Sequence, residues 1–321
     1  MMAIRLPLIA AALLLVTSAG ASGPKPDYQT ADGRFRIVGY NDMDEMLTAA
    51  ASRIEAGPAG FRFEFDLNST RSAPAALVAG RSLLAPMGAE MDPADRAAFH
   101  GAWGSDPIEF RIAHDSLTRG TLSSPTGILV ARGNPLRRIT LDQVRRIFTD
   151  QPGRPAISTW RALGIASAAG IRPIGLAADT AIGRFTLNAL RADRYAVRFE
   201  GMRQSRDAAA IVAADPTAIA LANLNFAGPD VRALTIIDDR RVARVPTRAG
   251  IRSGRYPFDR FLLIYARQEA DGGIAPAARM LLESLLSPEG QAAIGRQSRG
   301  YIPLNRRELA YERIKLAKTM K

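Results

Sequence analysis

Residues 134–164 read NPLRRITLDQVRRIFTDQPGRPAISTWRALG. Within this stretch Leu141–Phe148 reads as a helix, and shortly before it Gly127–Ala131 reads as an extended apolar run. The same alternation spreads outward in both directions. Upstream, Phe35–Tyr40 is predicted as a strand and Asp42–Glu55 as a helix, with Asp42 and Glu45 at capping-box spacing. Phe61–Asp66 and Ser82–Met87 follow as strands, with a helix from Pro74 to Ala79 between them. Asp92–Gly101 is then helical and Ile108–Ala113 extended. Downstream come helices over Ile182–Leu190 and Ala208–Ala214, a strand over Phe261–Arg267, and helices over Pro276–Leu286 and Pro288–Arg299. Such alternation implies an α/β fold of mostly parallel sheets flanked by helices.

Two polar stretches interrupt the pattern, Thr118–Thr126 and Asp238–Arg255. They suggest that the chain crosses twice between two lobes. Residues 22–120 and 241–321 then form the first lobe, and residues 121–240 the second. The last helix, Arg306–Lys318, places Leu309, Ala310, Ile314, Leu316, Ala317 and Met320 over one arc. Glu308, Glu312, Lys315 and Lys318 lie opposite. A polar face of mixed sign favours a docked helix over one lying on a membrane.

A chain of 321 residues suits two domains of roughly 150 residues each. Its start carries one positive charge, Arg5, then the apolar run Leu6–Val16, then Ala19-Gly20-Ala21. That order is a secretory signal peptide, expected to be cleaved after Ala21 and to export the protein. The apolar run is shorter than the roughly 20 residues a spanning helix needs. There is no cysteine, which excludes disulfides, thiolate chemistry, cysteine-held metals and a lipidated N-terminal cysteine. Without Arg5 the chain has 42 basic and 31 acidic side chains, a charge of +11 that favours anionic partners. The arginines are dispersed, with no run of five, so nucleic acid is not an expected partner.

Several motifs, in order, resemble the phosphate-binding family of type II periplasmic receptors. Asn134-Pro135, Ile139–Thr149 and Ile157–Gly164 resemble that family's NP, LTL-Q-IF and TW-LG sequence. Tyr256–Tyr265 is similar to its YPL-R-LYIY strand, and Ser287–Gln291 with Gly300–Leu304 to its closing signature. Thr70–Leu77 and Ala85–Met91 are similar to its SSTAPPAL and GPM-REM blocks. The resemblance implies a two-lobed binding protein, not an enzyme, that captures phosphate or a related oxyanion in an interlobe cleft. It also implies delivery to a membrane permease of an ABC importer, with no cofactor and no metal, as a monomer.

Oxyanion recognition asks for backbone N–H groups at helix starts, where the dipole and unpaired donors favour negative charge. The turn Asn41-Asp42-Met43 matches the family's first anion loop, and Thr70-Arg71-Ser72 a second, directly before Pro74. Met87 and the second-lobe turn Asp179-Thr180-Ala181 complete the implied set. The second-lobe turn departs from the pattern: Leu176 stands where the family carries Arg, and Asp179-Thr180-Ala181 where it carries Ser-Gly-Thr. In the first loop Asp42 replaces Thr. Three readings stay open at this point. Arg71 supplies the missing guanidinium; or Asp42 or Asp179 accepts a proton from hydrogen phosphate; or both aspartates repel anions and the ligand has changed.

Two other functional classes are weaker. A sensor or scaffold that lost transport is supported by the altered second-lobe turn. A hydrolase would need a nucleophile and base brought from separate segments, whereas His114-Asp115-Ser116 are consecutive and His100 stands alone. No nucleophile elbow, zinc-protease, Walker or dinucleotide motif is present.

Overall fold

The computed structural model describes residues 26–319, so the expected signal peptide lies outside the described residues. No helix among them is long and apolar enough to cross a membrane.

The chain first lays down β1 (Phe35–Val38), α1 (Asp44–Glu55), β2 (Phe63–Asp66), α2 (Ser72–Val78), β3 (Leu84–Met87), α3 (Pro93–Trp103) and β4 (Ile108–His114). It crosses and builds β5 (Thr126–Ala131), β6 (Arg138–Thr140), α4 (Leu141–Phe148), β7 (Arg172–Leu176), α5 (Ala181–Leu190) and β8 (Glu200–Met202). There follow α6 (Ser205–Ala214), β9 (Ala218–Asn223), β10 (Val231–Ala233), β11 (Thr235–Ile237), β12 (Ala243–Arg244) and α7 (Arg248–Arg252). It returns as β13 (Phe261–Ala266), α8 (Pro276–Leu285), α9 (Pro288–Arg296), β14 (Ile302–Pro303) and α10 (Arg306–Lys318).

In the first lobe β13 lies between β3 and β4, so a late strand completes an early sheet, and β1 pairs in parallel with β2 at its side. In the second lobe the order is β10-β5-β9-β7-β8, with β7 parallel to both β8 and β9. A small sheet, β12-β11-β6, sits beside it. The pairing is more mixed than a mostly parallel sheet, because the strands that carry the crossings, β4, β5 and β13, run antiparallel to their neighbours. Strand β12 still pairs with β11, and Ile251, Tyr256 and Phe258 pack in the second core. Residues as far as Phe258 thus pack with the second core, while β13 packs with the first.

Local chemistry sets the helix ends. Thr140 and Gln143 form a reciprocal capping box on α4: Gln143 N–H donates to Thr140 Oγ1 at 3.1 Å and Thr140 N–H to Gln143 Oε1 at 2.9 Å. Asp92 caps α3 ahead of Pro93, and Gly104 closes it in the left-handed region at φ 72°. The expected box of Asp42 and Glu45 does not form. Helix α1 begins at Asp44 without a side-chain cap, because the Asp42 carboxylate is turned inward to other donors and Glu45 accepts from Ser298.

Helix α1 buries Met46, Leu47, Ala50, Ala51 and Ile54, positions that share one face at helical spacing. Each large apolar side chain in such a face contributes about 1.5–3 kcal/mol by leaving water. Helix α10 packs on the first lobe through Leu316, and Lys315 Nζ donates to the Glu109 carbonyl at 2.7 Å. Its faces depart from the expected arc. Ile314 is exposed, and Glu312, placed on the solvent side from the sequence, is buried against Lys315 at 2.6 Å.

Candidate functional site: the interlobe cleft

Between the lobes lies an open cleft of about 950 Å³. Its first-lobe wall is formed by Tyr40 and Asn41 after β1, Asn68–Arg71 before α2, and Met87 to Asp92 after β3. The second-lobe wall is formed by Asp179–Ala181 and Arg184 after β7, and by Arg203 and Gln204 after β8. These second-lobe groups stand at the carboxyl ends of parallel strands, where open α/β sheets carry their ligands.

Close backbone approach shapes both walls. A Cβ on Gly88 would meet Ser123 Oγ at 2.5 Å and the Tyr40 ring at 2.6 Å, so only glycine lets these segments meet. Tyr40 donates to Ser123 Oγ at 3.0 Å, and Ser123 donates to the Gly88 carbonyl at 2.9 Å. Burial pushes the Tyr40 phenol well above its ordinary range, which keeps it a neutral donor. On the second lobe a Cβ on Gly183 would meet the Ala177 carbonyl at 2.0 Å, so α5 can start tightly against β7.

Seven of the ten residues expected from the sequence line the cleft: Asn41, Thr70, Arg71, Met87, Asp179, Thr180 and Ala181. Among the described residues the backbone N–H groups of Asn41, Thr70, Ala181 and Ile182 have no hydrogen-bond acceptor. They are the unpaired donors of helix starts on both walls. Thr70 Oγ1 accepts from Gly88 N–H at 3.1 Å, which leaves its own proton free to donate. The Arg71 guanidinium has no partner among the described residues.

Three expected residues do not line it. Asp42 is 1% exposed and accepts from Leu122 N–H at 3.0 Å, Arg299 at 2.9 Å and Tyr301 at 2.8 Å. A carboxylate so occupied binds two segments of its own chain and does not serve as a proton acceptor for a ligand. Met43 is wholly buried in the first core. Ser72 donates to the Ser69 carbonyl at 2.8 Å within its own turn. Asp179 faces the cleft but is paired with Arg203 at 2.7 Å, while Arg184 donates to the Asp179 carbonyl at 2.8 Å.

Arg184 also reaches across the cleft to Asp92 at 2.6 Å. Arg184, Arg203, Glu90, Asp92 and Asp95 were missed by the sequence reading. Glu90 falls inside the Ala85–Met91 block, but the second-lobe arginines become visible only once β7 and β8 are known to lie side by side.

Behind the cleft the two crossings run together. Asp115 N–H donates to the Arg260 carbonyl at 2.9 Å. The Arg260 side chain, 2% exposed, lies between Asp115 at 3.7 Å and Glu90 at 3.9 Å. Burial pushes the Asp115 carboxyl up to about 7 in spite of the opposing pull of Arg260. Next to this pair His114 sits wholly buried, with Nδ1 2.8 Å from Asp259 and Nε2 2.9 Å from Glu308. Burial alone would lower its pKa, but the two carboxylates outweigh it and raise it to about 9, so the ring is an imidazolium. These three residues have ligand atoms within 4.8 Å of one another. The carboxylates nevertheless face opposite edges of the ring, so a single ion cannot share one ring nitrogen with both of them, and the group is an ion-pair clamp.

Two α/β lobes joined by two crossings, with unpaired donors facing each other over a cleft, define a two-lobed binding architecture. The PBP superfamily domain matches residues 26–289, and the chain belongs to that family. It is 24% identical over 311 residues to the phosphate-binding protein PstS of Pseudomonas aeruginosa, covering 93% of each chain. Among solved structures it is similar to an ABC-type phosphate transport receptor from Vibrio cholerae: TM-score 0.55, 15% identity, 84% of this chain and 99% of that one. It is also similar to PstS from Borrelia burgdorferi: TM-score 0.52, 13% identity, 84% of this chain and 98% of that one. These likenesses establish the two-lobed α/β fold.

Proposed function

We propose that this chain is an exported solute-binding protein that captures phosphate or a related oxyanion in the interlobe cleft and passes it to the membrane permease of an ABC importer. The observation that carries the reading is the meeting, in one cleft, of free amides from helix starts on both lobes with the unpaired Arg71 guanidinium. Amides aimed at a point favour negative charge there, and a guanidinium adds a planar, permanently charged donor pair. The names of its relatives, phosphate-binding protein and phosphate transport receptor, support the same ligand class.

Asn41, Thr70, Arg71 and Ala181 are the ligand contacts in this reading, with Met87 as an apolar floor; Thr180 lines the cleft but gives both its N–H and its hydroxyl proton to the Ala177 carbonyl. Binding shifts an open–closed equilibrium about the crossings, and the closed form docks on the permease as a monomer. Export rests on residues 1–21, with cleavage after Ala21 and release into the periplasm. Isothermal titration of the purified protein with phosphate, sulfate, arsenate and organic phosphates tests the ligand class. Saturable heat from at least one is expected, and none from any would overturn the reading.

A further inference from the structure

The chain is strongly basic, yet its cleft is not. Three arginines line it, Arg71, Arg184 and Arg203, against four carboxylates, Glu90, Asp92, Asp95 and Asp179. Two of the arginines are already neutralised, Arg184 by Asp92 at 2.6 Å and Arg203 by Asp179 at 2.7 Å. What remains is one free guanidinium, Arg71, and two carboxylates without a hydrogen-bond donor among the described residues. Glu90 comes no nearer a cation than 3.9 Å, from Arg260, and its Oε2 is buried without a partner. Asp95, in the first turn of α3, makes no ion pair among the described residues, and burial with the neighbouring Asp92 raises its pKa, as expected of an uncompensated charge.

A bare phosphate dianion would thus enter a cleft that offers it one free cation and turns toward it Asp95, which has no cation beside it among the described residues, and Glu90, which shares the single Arg260 guanidinium with Asp115. Size points the same way. A phosphate ion fills on the order of 70 Å³, a little over two shares of liquid water at roughly 30 Å³ each. The open cleft, about 950 Å³ before any closure of the lobes, admits a larger guest than that.

We propose that the ligand is a zwitterion: an organic phosphate or phosphonate whose oxyanion lies on Arg71 and the Asn41, Thr70 and Ala181 amides while its ammonium lies against Glu90 and Asp95. This rests on the oxyanion reading above and narrows it. The two carboxylates, undercompensated by the one guanidinium shared between Glu90 and Asp115, act as the selective element, since they penalise an anion that carries no positive arm.

The test is titration with three probes at mildly alkaline pH, where the phosphates are dianions: inorganic phosphate, phosphoethanolamine, and n-propyl phosphate, which has the same shape as phosphoethanolamine with a methyl in place of the ammonium. Phosphoethanolamine is expected to bind at least about tenfold more tightly than propyl phosphate, the scale of one charged hydrogen bond. In the double variant Glu90→Gln/Asp95→Asn that preference should fall to within about threefold, with propyl phosphate binding more tightly than it does to the native protein. Thermal melting of the variant confirms that it is folded. Equal or tighter binding of propyl phosphate by the native protein, or a preference that survives in the variant, overturns the inference while leaving oxyanion capture intact. Heat from none of the three overturns the inference and, where sulfate and arsenate give none either, oxyanion capture with it.

Discussion

The first-lobe wall of the cleft leaves the amides of Asn41 and Thr70 and the Arg71 side chain free, whereas the second-lobe wall ties its arginines to aspartates. The lobes differ in the opposite sense overall. Residues 121–258 contain 21 arginines against 10 acidic residues, a net +11, while the described first-lobe residues, 26–120 and 259–319, carry 19 basic and 21 acidic groups. The excess charge of the chain therefore sits on the outer surface of the lobe that contributes fewer free donors to the cleft. Such a surface raises the local concentration of anions through its long-range field, and that field weakens with salt. Coordination is short-range and falls to the first lobe. Net charge and ligand contact are separate properties here, carried by different halves of the molecule.

The sharpest way to break this contrast is at Asp42, which lies behind the first wall. Asp42→Ala leaves the Tyr301 hydroxyl and Leu122 amide buried without an acceptor and Arg299 without its nearest partner. Removing one side of a buried, hydrogen-bonded ion pair costs about 3–5 kcal/mol, so a large fall in the urea midpoint is expected. If instead the variant is as stable as the native chain but loses ligand, Asp42 belongs to the wall and not to its support.

The clamp at the crossings comes next. His114 has its pKa raised from 6.5 to about 9 in the fold, so its stabilisation is fully present below pH 6.5 and is lost as the pH rises through about 9. A displacement of that size corresponds to roughly 3 kcal/mol. Unfolding free energy measured between pH 8 and 10, above the titration of Asp115 near 7, should fall in the native protein and fall much less in His114→Gln, which is less stable at the acid end. A native profile without the decline would mean that the ring is neutral and that the crossings are held by packing alone.

Much of this fold was legible in the sequence because its elements announce themselves locally: α4, α8 and α9 lie where the apolar spacing and caps put them. Local pattern misled where a side chain's partner lies far along the chain. Asp42 reads as a helix cap because Glu45 stands three residues on, but its partners are Leu122, Arg299 and Tyr301. Glu312 reads as a solvent residue, yet it is buried. In the cleft, Thr70 and Arg71 could be found because a helix start follows them directly. Arg203 and Arg184 could not, since their place depends on β8 lying beside β7 and on the second lobe facing Asp92 of the first.

Arg71 sharpens the contrast from the ligand side. Arg71→Ala removes the free guanidinium of the cleft and should weaken oxyanion binding by about 2 kcal/mol, or roughly 30-fold, within the range for hydrogen bonds to charged groups. Its side chain makes no ion pair among the described residues, so the melting temperature of the unliganded protein should hardly move. An unchanged affinity in titration calorimetry would assign recognition to the second lobe after all.

The smallest effect is expected at Arg184, the one paired arginine that spans both walls. Its bond to Asp92 at 2.6 Å joins the start of α5 to the cap of α3, and both side chains are partly exposed, 33% and 43%. Solvent screening limits an ion pair of this kind to about 0.5–1 kcal/mol, so its loss should barely change global stability. It forms only when the lobes stand close, so what it gives is given to the closed state alone. Arg184→Ala should therefore lower ligand affinity by about two- to fivefold through the closing equilibrium. In the absence of ligand, the scattering radius of gyration should rise toward that of an open form. High salt should produce much of the same shift in the native protein and little further change in the variant. Should the variant and native chains scatter alike at every ionic strength, the pair contributes nothing to closure, and the distinction between a donor wall and a self-paired wall would be one of composition without mechanical consequence.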